Sequence, residues 1–279
     1  MSGLAERVRD VTGPVIAVFR VRALRLMEIA RAAALLATGG STIVFVVVTY
    51  RLGGAGAVAA LAVIRLVVTT VAAPFGAILG DRYDRVRVIV AADAARVLNL
   101  LAAAAAAAWT SSLSLQLGLA ALTTAIGMVS APARGALLPA LAETPEMLTA
   151  ANVVAGATDT VASLVGPALA GVALAVSGPT AAFAAAGVVA ALSPAVVSRI
   201  QVVGAEAAAE QPNRPGLTRA AFAGFGAVVS SGPARALLAL YSVVSLAGGA
   251  LTVLFTVAAI RLLGLGGSGV GFLYSFFSG

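Results

Sequence analysis

Six ionisable side chains stand inside stretches that are otherwise apolar enough for lipid: Glu28, Arg31, Arg65, Asp93, Arg96 and Asp159. Charge at such depth costs about 2.5–3.5 kcal/mol or more per group on insertion scales, so it persists where it finds a partner or performs a task. Glu28 and Arg31, like Asp93 and Arg96, are spaced i, i+3, which puts each pair on one helix face where it can neutralise itself. Arg65 and Asp159 lie deeper. At a rise of 1.5 Å per residue, Arg65 stands about 21 Å above the end of its helix at Leu79, and Asp159 about 13 Å into its own. The two are expected to pair across the bundle interior, closing the remaining gap with the long arginine side chain or a water. A carboxylate whose cation withdraws in one conformation takes up a proton. Asp159 is therefore expected to couple protons to a conformational change; a fixed structural pair is the plainer alternative.

Two further constellations are polar or helix-breaking. The stretch Gly80-Asp81-Arg82-Tyr83-Asp84-Arg85-Val86-Arg87 concentrates five charges between two apolar spans. Charges at adjoining helix ends can hold those ends in one of two arrangements, which is the logic of a gate. Gly166-Pro167-Ala168-Leu169-Ala170-Gly171 places proline between glycines in the middle of an apolar run. Proline frees a backbone carbonyl and glycine admits a neighbouring backbone. Gly264–Gly269 formally fits G-x-G-x-x-G, but it follows an apolar helix rather than a strand, so it is not read as a nucleotide site.

What is missing narrows the chemistry. The 279 residues contain no cysteine and no histidine, and all 18 basic residues are arginine. Thiol chemistry, a Ser-His-Asp triad, a histidine metal site, a Schiff-base lysine and a P-loop lysine are excluded. No enzyme activity, metal or cofactor is expected.

These residues need helices in lipid to position them. The chain is 61% hydrophobic and 10% charged, with a mean hydropathy of +1.04, whereas a soluble domain is about 25% charged. Only 5% is aromatic, and alanine, valine, leucine and glycine supply the apolarity, as in closely packed membrane helices. At about 20 residues per span the chain holds roughly seven or eight. They are expected at about 24–52, 57–79, 88–108, 115–129, 150–176, 180–197 and 236–260, with an eighth starting near Val270. Gly53, Gly54 and Gly56 make the first turn and Ser177-Gly178-Pro179 a later one; Pro132, Arg134 and Pro139 mark the exit of the fourth span. Residues 199–220 are polar, and Leu217–Pro233 is expected to form an amphipathic helix on the membrane surface.

With the N-terminus inside, thirteen arginines fall in cytoplasmic segments and only Arg51 and Arg261 outside. That asymmetry is the positive-inside rule. It accounts for the net charge of +7 without nucleic acid as a partner. The expected location is the cell inner membrane, multi-pass, with a cytoplasmic N-terminus.

The start of the seventh span echoes the first. Arg235-Ala-Leu repeats Arg22-Ala-Leu, and Ile260-Arg261-Leu262 repeats Tyr50-Arg51-Leu52, about 210 residues later. Repeated helical bundles are a transporter signature. Two such repeats would need roughly 420 residues, so the chain is expected to be a fragment or truncated product lacking its C-terminal half.

The loop Ala77–Arg87 resembles the signature loop of the major facilitator superfamily, Gly-x-Leu-small-Asp-Arg-x-Gly-Arg-basic. Asp81, Arg82 and Arg85 match; Ala77, Asp84 and Val86 depart, and Arg87 is basic one place late. Gly166, Pro167 and Gly171 are similar to a motif of the family's antiporters, and the Pro132–Leu141 stretch, with Arg134, is similar to the helix four–five loop of its multidrug-exporter branch. The resemblance implies an all-α membrane protein: a tail (1–23), a six-helix facilitator-type bundle (24–198), a cytoplasmic linker with the amphipathic helix (199–234), and helix seven with a truncated helix eight (235–279). It implies proton-coupled efflux of small amphiphilic molecules, with a small-molecule substrate, protons and the lipid bilayer as partners. The rival from another class is a non-transporting membrane module or inactive truncated product.

Overall fold

The computed structural model describes residue 16, residues 18–200 and residues 230–278, with all their side chains except those of Ala77, Asp81, Leu238, Tyr241, Phe277 and Ser278. The first fifteen residues of the expected tail, and positions 201–229 of the expected linker and amphipathic helix, lie outside the described residues. Among the described residues there is no strand. The helices are α1 (Arg22–Arg82), α2 (Arg85–Trp109), α3 (Leu113–Leu141), α4 (Pro145–Val197), α5 (Gly232–Val257) and α6 (Gly266–Ser278), with a short π-helical stretch, Ala258–Leu262, continuing α5. Five stretches are long and apolar enough to cross a membrane.

A straight α1 of 61 residues would run about 92 Å, three times the hydrocarbon thickness. It does not run straight. Gly54 has φ 66° and ψ −160°, a conformation open to glycine, and Gly178 inside α4 has φ 76° and ψ −179°. At each the chain folds back. Two apolar clusters at opposite ends of the bundle show it. One joins Leu24 and Met27 to Leu137 and Leu141 of α3 and gathers Ala150 and Val197, from the two ends of α4. The other gathers Phe45, Val58, Leu100, Ala120, Leu174 and Phe183. The far end of α1 returns to the first cluster, since a Cβ at Gly80 would sit 3.6 Å from Ala133 there. The turns expected around Gly54 and Gly178 are thus reversals, each centred on a glycine with non-helical φ and ψ.

Local signals set the other boundaries. Asp84, Ser112 and Thr144 each accept a hydrogen bond from the backbone N–H three residues on, at 2.8, 3.3 and 3.2 Å, capping α2, α3 and α4. Pro145 occupies the first turn of α4, where its missing N–H is not needed. Large apolar side chains face outward along α1 (Val63, Val67, Val71) and α4 (Val153, Val161, Leu164), as in a protein whose surroundings are lipid.

Three boundaries differ from expectation. The fourth span does not end at Val129: α3 continues to Leu141, carrying Pro132, Arg134 and Pro139 within it. Pro132 cannot donate to the Met128 carbonyl four residues back. Gly76 of α1 packs on that carbonyl so closely that a Cβ would collide with it. α3 continues through its proline to Leu141, with Gly76 packed against the freed carbonyl. The seventh span starts earlier, at Gly232 with Pro233 in the first turn. The eighth starts at Gly266 rather than near Val270, because Gly264 (φ 65°) and Gly266 (φ 63°) complete the turn sooner.

Candidate functional site

The bundle gathers five of the six intramembrane charges into two adjoining networks. In the first, Arg31 of α1 donates from Nη1 to Asp159 Oδ1 of α4 at 3.1 Å, and its Nε lies 3.7 Å from Glu28 Oε1. Thr158 donates to Glu28 Oε2 at 3.1 Å. One cation therefore serves two carboxylates. Glu28 is buried, whereas the Asp159 side chain is 51% exposed. Neither Glu28 Oε1 nor Arg31 Nε makes a hydrogen bond; each is held by charge alone.

In the second network Asp93 of α2 takes two arginines. Arg96 donates from Nη1 to Asp93 Oδ1 at 3.2 Å and from Nη2 to Ser130 of α3 at 2.9 Å. Arg134 of α3 donates to Asp93 Oδ2 and, at 2.8 Å, to Ser193 of α4, whose hydroxyl in turn donates to Asp93 Oδ2 at 2.6 Å. Asp93 is 1% exposed. A buried carboxylate with its oxygens taken up by three donors is fixed in place, and removing it would strand two buried guanidiniums. Together the networks hold three carboxylates and three guanidiniums, so the whole balances only when all six are charged.

The i, i+3 pairs Glu28–Arg31 and Asp93–Arg96 form as their spacing implies. Two placements need correction. Asp159 takes Arg31, not Arg65, because the first arm of α1 runs parallel to α4 in a fixed register: Glu28 meets Thr158, Arg31 meets Asp159, and Gly40 meets Gly166. Arg134, read as a loop residue beside Pro132, is buried in α3 by its bonds to Asp93 and Ser193. The contributions of Thr158, Ser130 and Ser193 were not foreseen. The apolar run Gly135–Leu138 immediately after Arg134 was the signal that this arginine is not in a loop.

The charged loop is a tight connection between α1 and α2. Arg82 ends α1, Arg85 opens α2, and Asp84 caps α2 by accepting from the Arg87 N–H. The departure from glycine at position 84 thus has a local reason. Asp81 lies in the last turn of α1, and its side chain is outside the described positions. Gly166, Pro167 and Gly171 form a three-way crossing. A Cβ at Gly166 would lie 3.0 Å from the Leu36 carbonyl of α1; one at Gly171, 2.9 Å from the Ser268 carbonyl of α6. A Cβ at Gly271 of α6 would come within 2.6 Å of the Pro167 carbonyl. The motif lets α4 touch α1 on one face and α6 on the other.

Residues 29–279 match the family model described as Major Facilitator Superfamily. No curated protein matches the chain.

Proposed function

Because the chain belongs to the major facilitator superfamily, whose members are secondary transporters, we propose that it exports small amphiphilic molecules in exchange for protons, with Glu28, Arg31 and Asp159 as the proton-responsive group. The observation that carries this reading is the sharing of Arg31 between two carboxylates. Any movement of α1 against α4 that withdraws Arg31 leaves carboxylates without a cation, and one of them takes up a proton. Asp159 is the half-exposed member of the pair and Glu28 the buried one. Gly166 and Pro167, two turns further along α4, provide the place where α1 and α4 meet backbone to backbone and can rock as units.

The orientation belongs to the same proposal. With Arg134 inside α3, twelve arginines remain for the cytoplasmic side against Arg51 and Arg261. Arg82, Arg85, Arg87 and Arg199 all lie at the end of the bundle marked by the Leu24, Leu141 and Val197 cluster. In this reading that end is the cytoplasmic one, in the cell inner membrane.

The test uses inside-out vesicles from cells expressing the gene. Accumulation of an amphiphilic dye should appear when an inward-acid gradient is imposed and vanish when it is collapsed. Asp159→Asn should bind dye as the wild type does and lose gradient-driven accumulation; full accumulation by that variant would remove the coupling role.

A further inference from the structure

Arg65 is the intramembrane charge that neither network absorbs. It lies about 16 Å along α1 from the turn at Gly54, well inside a hydrocarbon layer about 30 Å thick. Its helix face is defined by its neighbours. Val63, Val67 and Val71 form the outward stripe, and Arg65 stands about 200° around the helix from Val63. It shares its face instead with Val58 and Leu61, both of which are buried in the core cluster. Arg65 therefore points toward protein, not lipid. One turn before it, a Cβ at Gly249 of α5 would meet Ala62 at 3.5 Å. Tyr274 of α6 packs against the same core cluster as Val58 and Leu61. Arg65 thus stands at the junction between the first bundle and α5 and α6.

Among the described residues its guanidinium has no carboxylate partner. Arg65 Nε is buried without a hydrogen bond, and no ion pair of Arg65 occurs among the described residues. The described carboxylates at membrane depth, Glu28, Asp93 and Asp159, are all held by other arginines. A guanidinium presents five donors in a planar fork that matches a carboxylate, sulfonate or phosphate. The Tyr274 phenol, packed on the same cluster from α6, offers one more donor.

We propose that Arg65, with Tyr274, binds the anionic head group of the transported molecule, so that the cargo is an amphiphilic anion. This rests on the transporter reading above and adds the substrate's charge to it. A cationic cargo would meet an unneutralised arginine at the junction; an anionic one supplies the counter-charge that the described protein lacks. The loaded site is neutral, and its occupant touches both α1 and α6.

The experiment uses two xanthene dyes of similar size and opposite charge, anionic fluorescein and cationic rhodamine 123, with the purified full chain in lipid nanodiscs and fluorescence polarisation as readout. The wild type should bind fluorescein more tightly than rhodamine 123. Arg65→Gln should weaken fluorescein at least about tenfold, the loss of a charge-assisted contact, and leave rhodamine 123 unchanged or tighter. Arg65→Lys should recover part of the loss. Tyr274→Phe, which keeps the ring and its packing, should weaken fluorescein a few-fold; it and Arg65→Lys carry the test if Arg65→Gln does not fold. Unchanged fluorescein affinity in the folded Arg65 variants, tighter binding of rhodamine 123 by the wild type, or no fluorescein binding overturns the assignment. Proton-driven export of rhodamine 123 without fluorescein binding leaves the export reading standing and removes the anion site. Arg65-dependent fluorescein binding without proton-driven transport does the reverse.

Discussion

Arg31 of α1 reaches Asp159 of α4 at 3.1 Å across 128 residues of sequence, and the same side chain lies 3.7 Å from Glu28 one turn back on its own helix. The contact is one rung of a ladder. Glu28–Thr158 below it and Gly40–Gly166 above it keep nearly the same sequence offset, so α1 and α4 are parallel neighbours in register. Arg31→Gln should destabilise the bundle, because two carboxylates lose their cation. Combining it with Asp159→Asn should recover part of the loss. A double-mutant cycle on thermal unfolding in detergent should return a coupling of about 0.5–3 kcal/mol; strict additivity would mean the pair contributes nothing.

The Asp93 network should be the costlier one to break. Asp93→Asn leaves Arg96 and Arg134 buried without the carboxylate that pairs with both, a loss of about 3–5 kcal/mol. Ser193→Ala removes one hydroxyl that both donates and accepts, and should cost about 1–3 kcal/mol. Equal stability of wild type and Asp93→Asn in the same unfolding assay would show that the two arginines find other partners.

Asp84 offers a test of the local reading of the loop. Asp84→Ala should cost about 1 kcal/mol through loss of the α2 cap, whereas Asp84→Gly should cost only a few tenths. If alanine and glycine are equivalent there, the 2.8 Å bond to the Arg87 N–H is not stabilising.

Glycines at crossings and in open space should respond with opposite signs. A Cβ at Gly271 meets the Pro167 carbonyl and the Gly171 backbone, so Gly271→Ala should destabilise by about 1–3 kcal/mol. A Cβ at Gly156 meets nothing within 4 Å, so Gly156→Ala should stabilise α4 by up to about 1 kcal/mol. Melting temperatures that move the same way in both would argue against the α4–α6 approach.

The absence of cysteine makes single cysteines clean reporters of orientation. A cysteine at Tyr83 should react with a membrane-impermeant maleimide from the cytoplasmic side, and one at Ser177 from the outside. Labelling of the Ser177 position from the cytoplasm alone would invert the proposed topology.

Local physics determined much of this protein. Composition alone placed it in lipid, because 61% apolar residues cannot be hidden inside a chain of this size in water. The reversals near Gly54 and Gly178, the caps before α3 and α4, and the pairs Glu28–Arg31 and Asp93–Arg96 follow from residues within a few positions of one another. The arginine count anticipated which loops share a side. The tertiary structure decided who meets whom. Depth along a helix is a rise per residue and can be counted, but the direction a residue faces and the helix it meets depend on packing between distant segments. Asp159 found Arg31 rather than Arg65 because Gly40 and Gly166 bring α1 and α4 backbone to backbone. Arg134 left its expected loop because Asp93 and Ser193, 41 and 59 residues away, compensate its burial. Arg65 stays outside both networks for the same reason: close approach of small residues chooses the neighbours, and charges settle among the partners that approach provides.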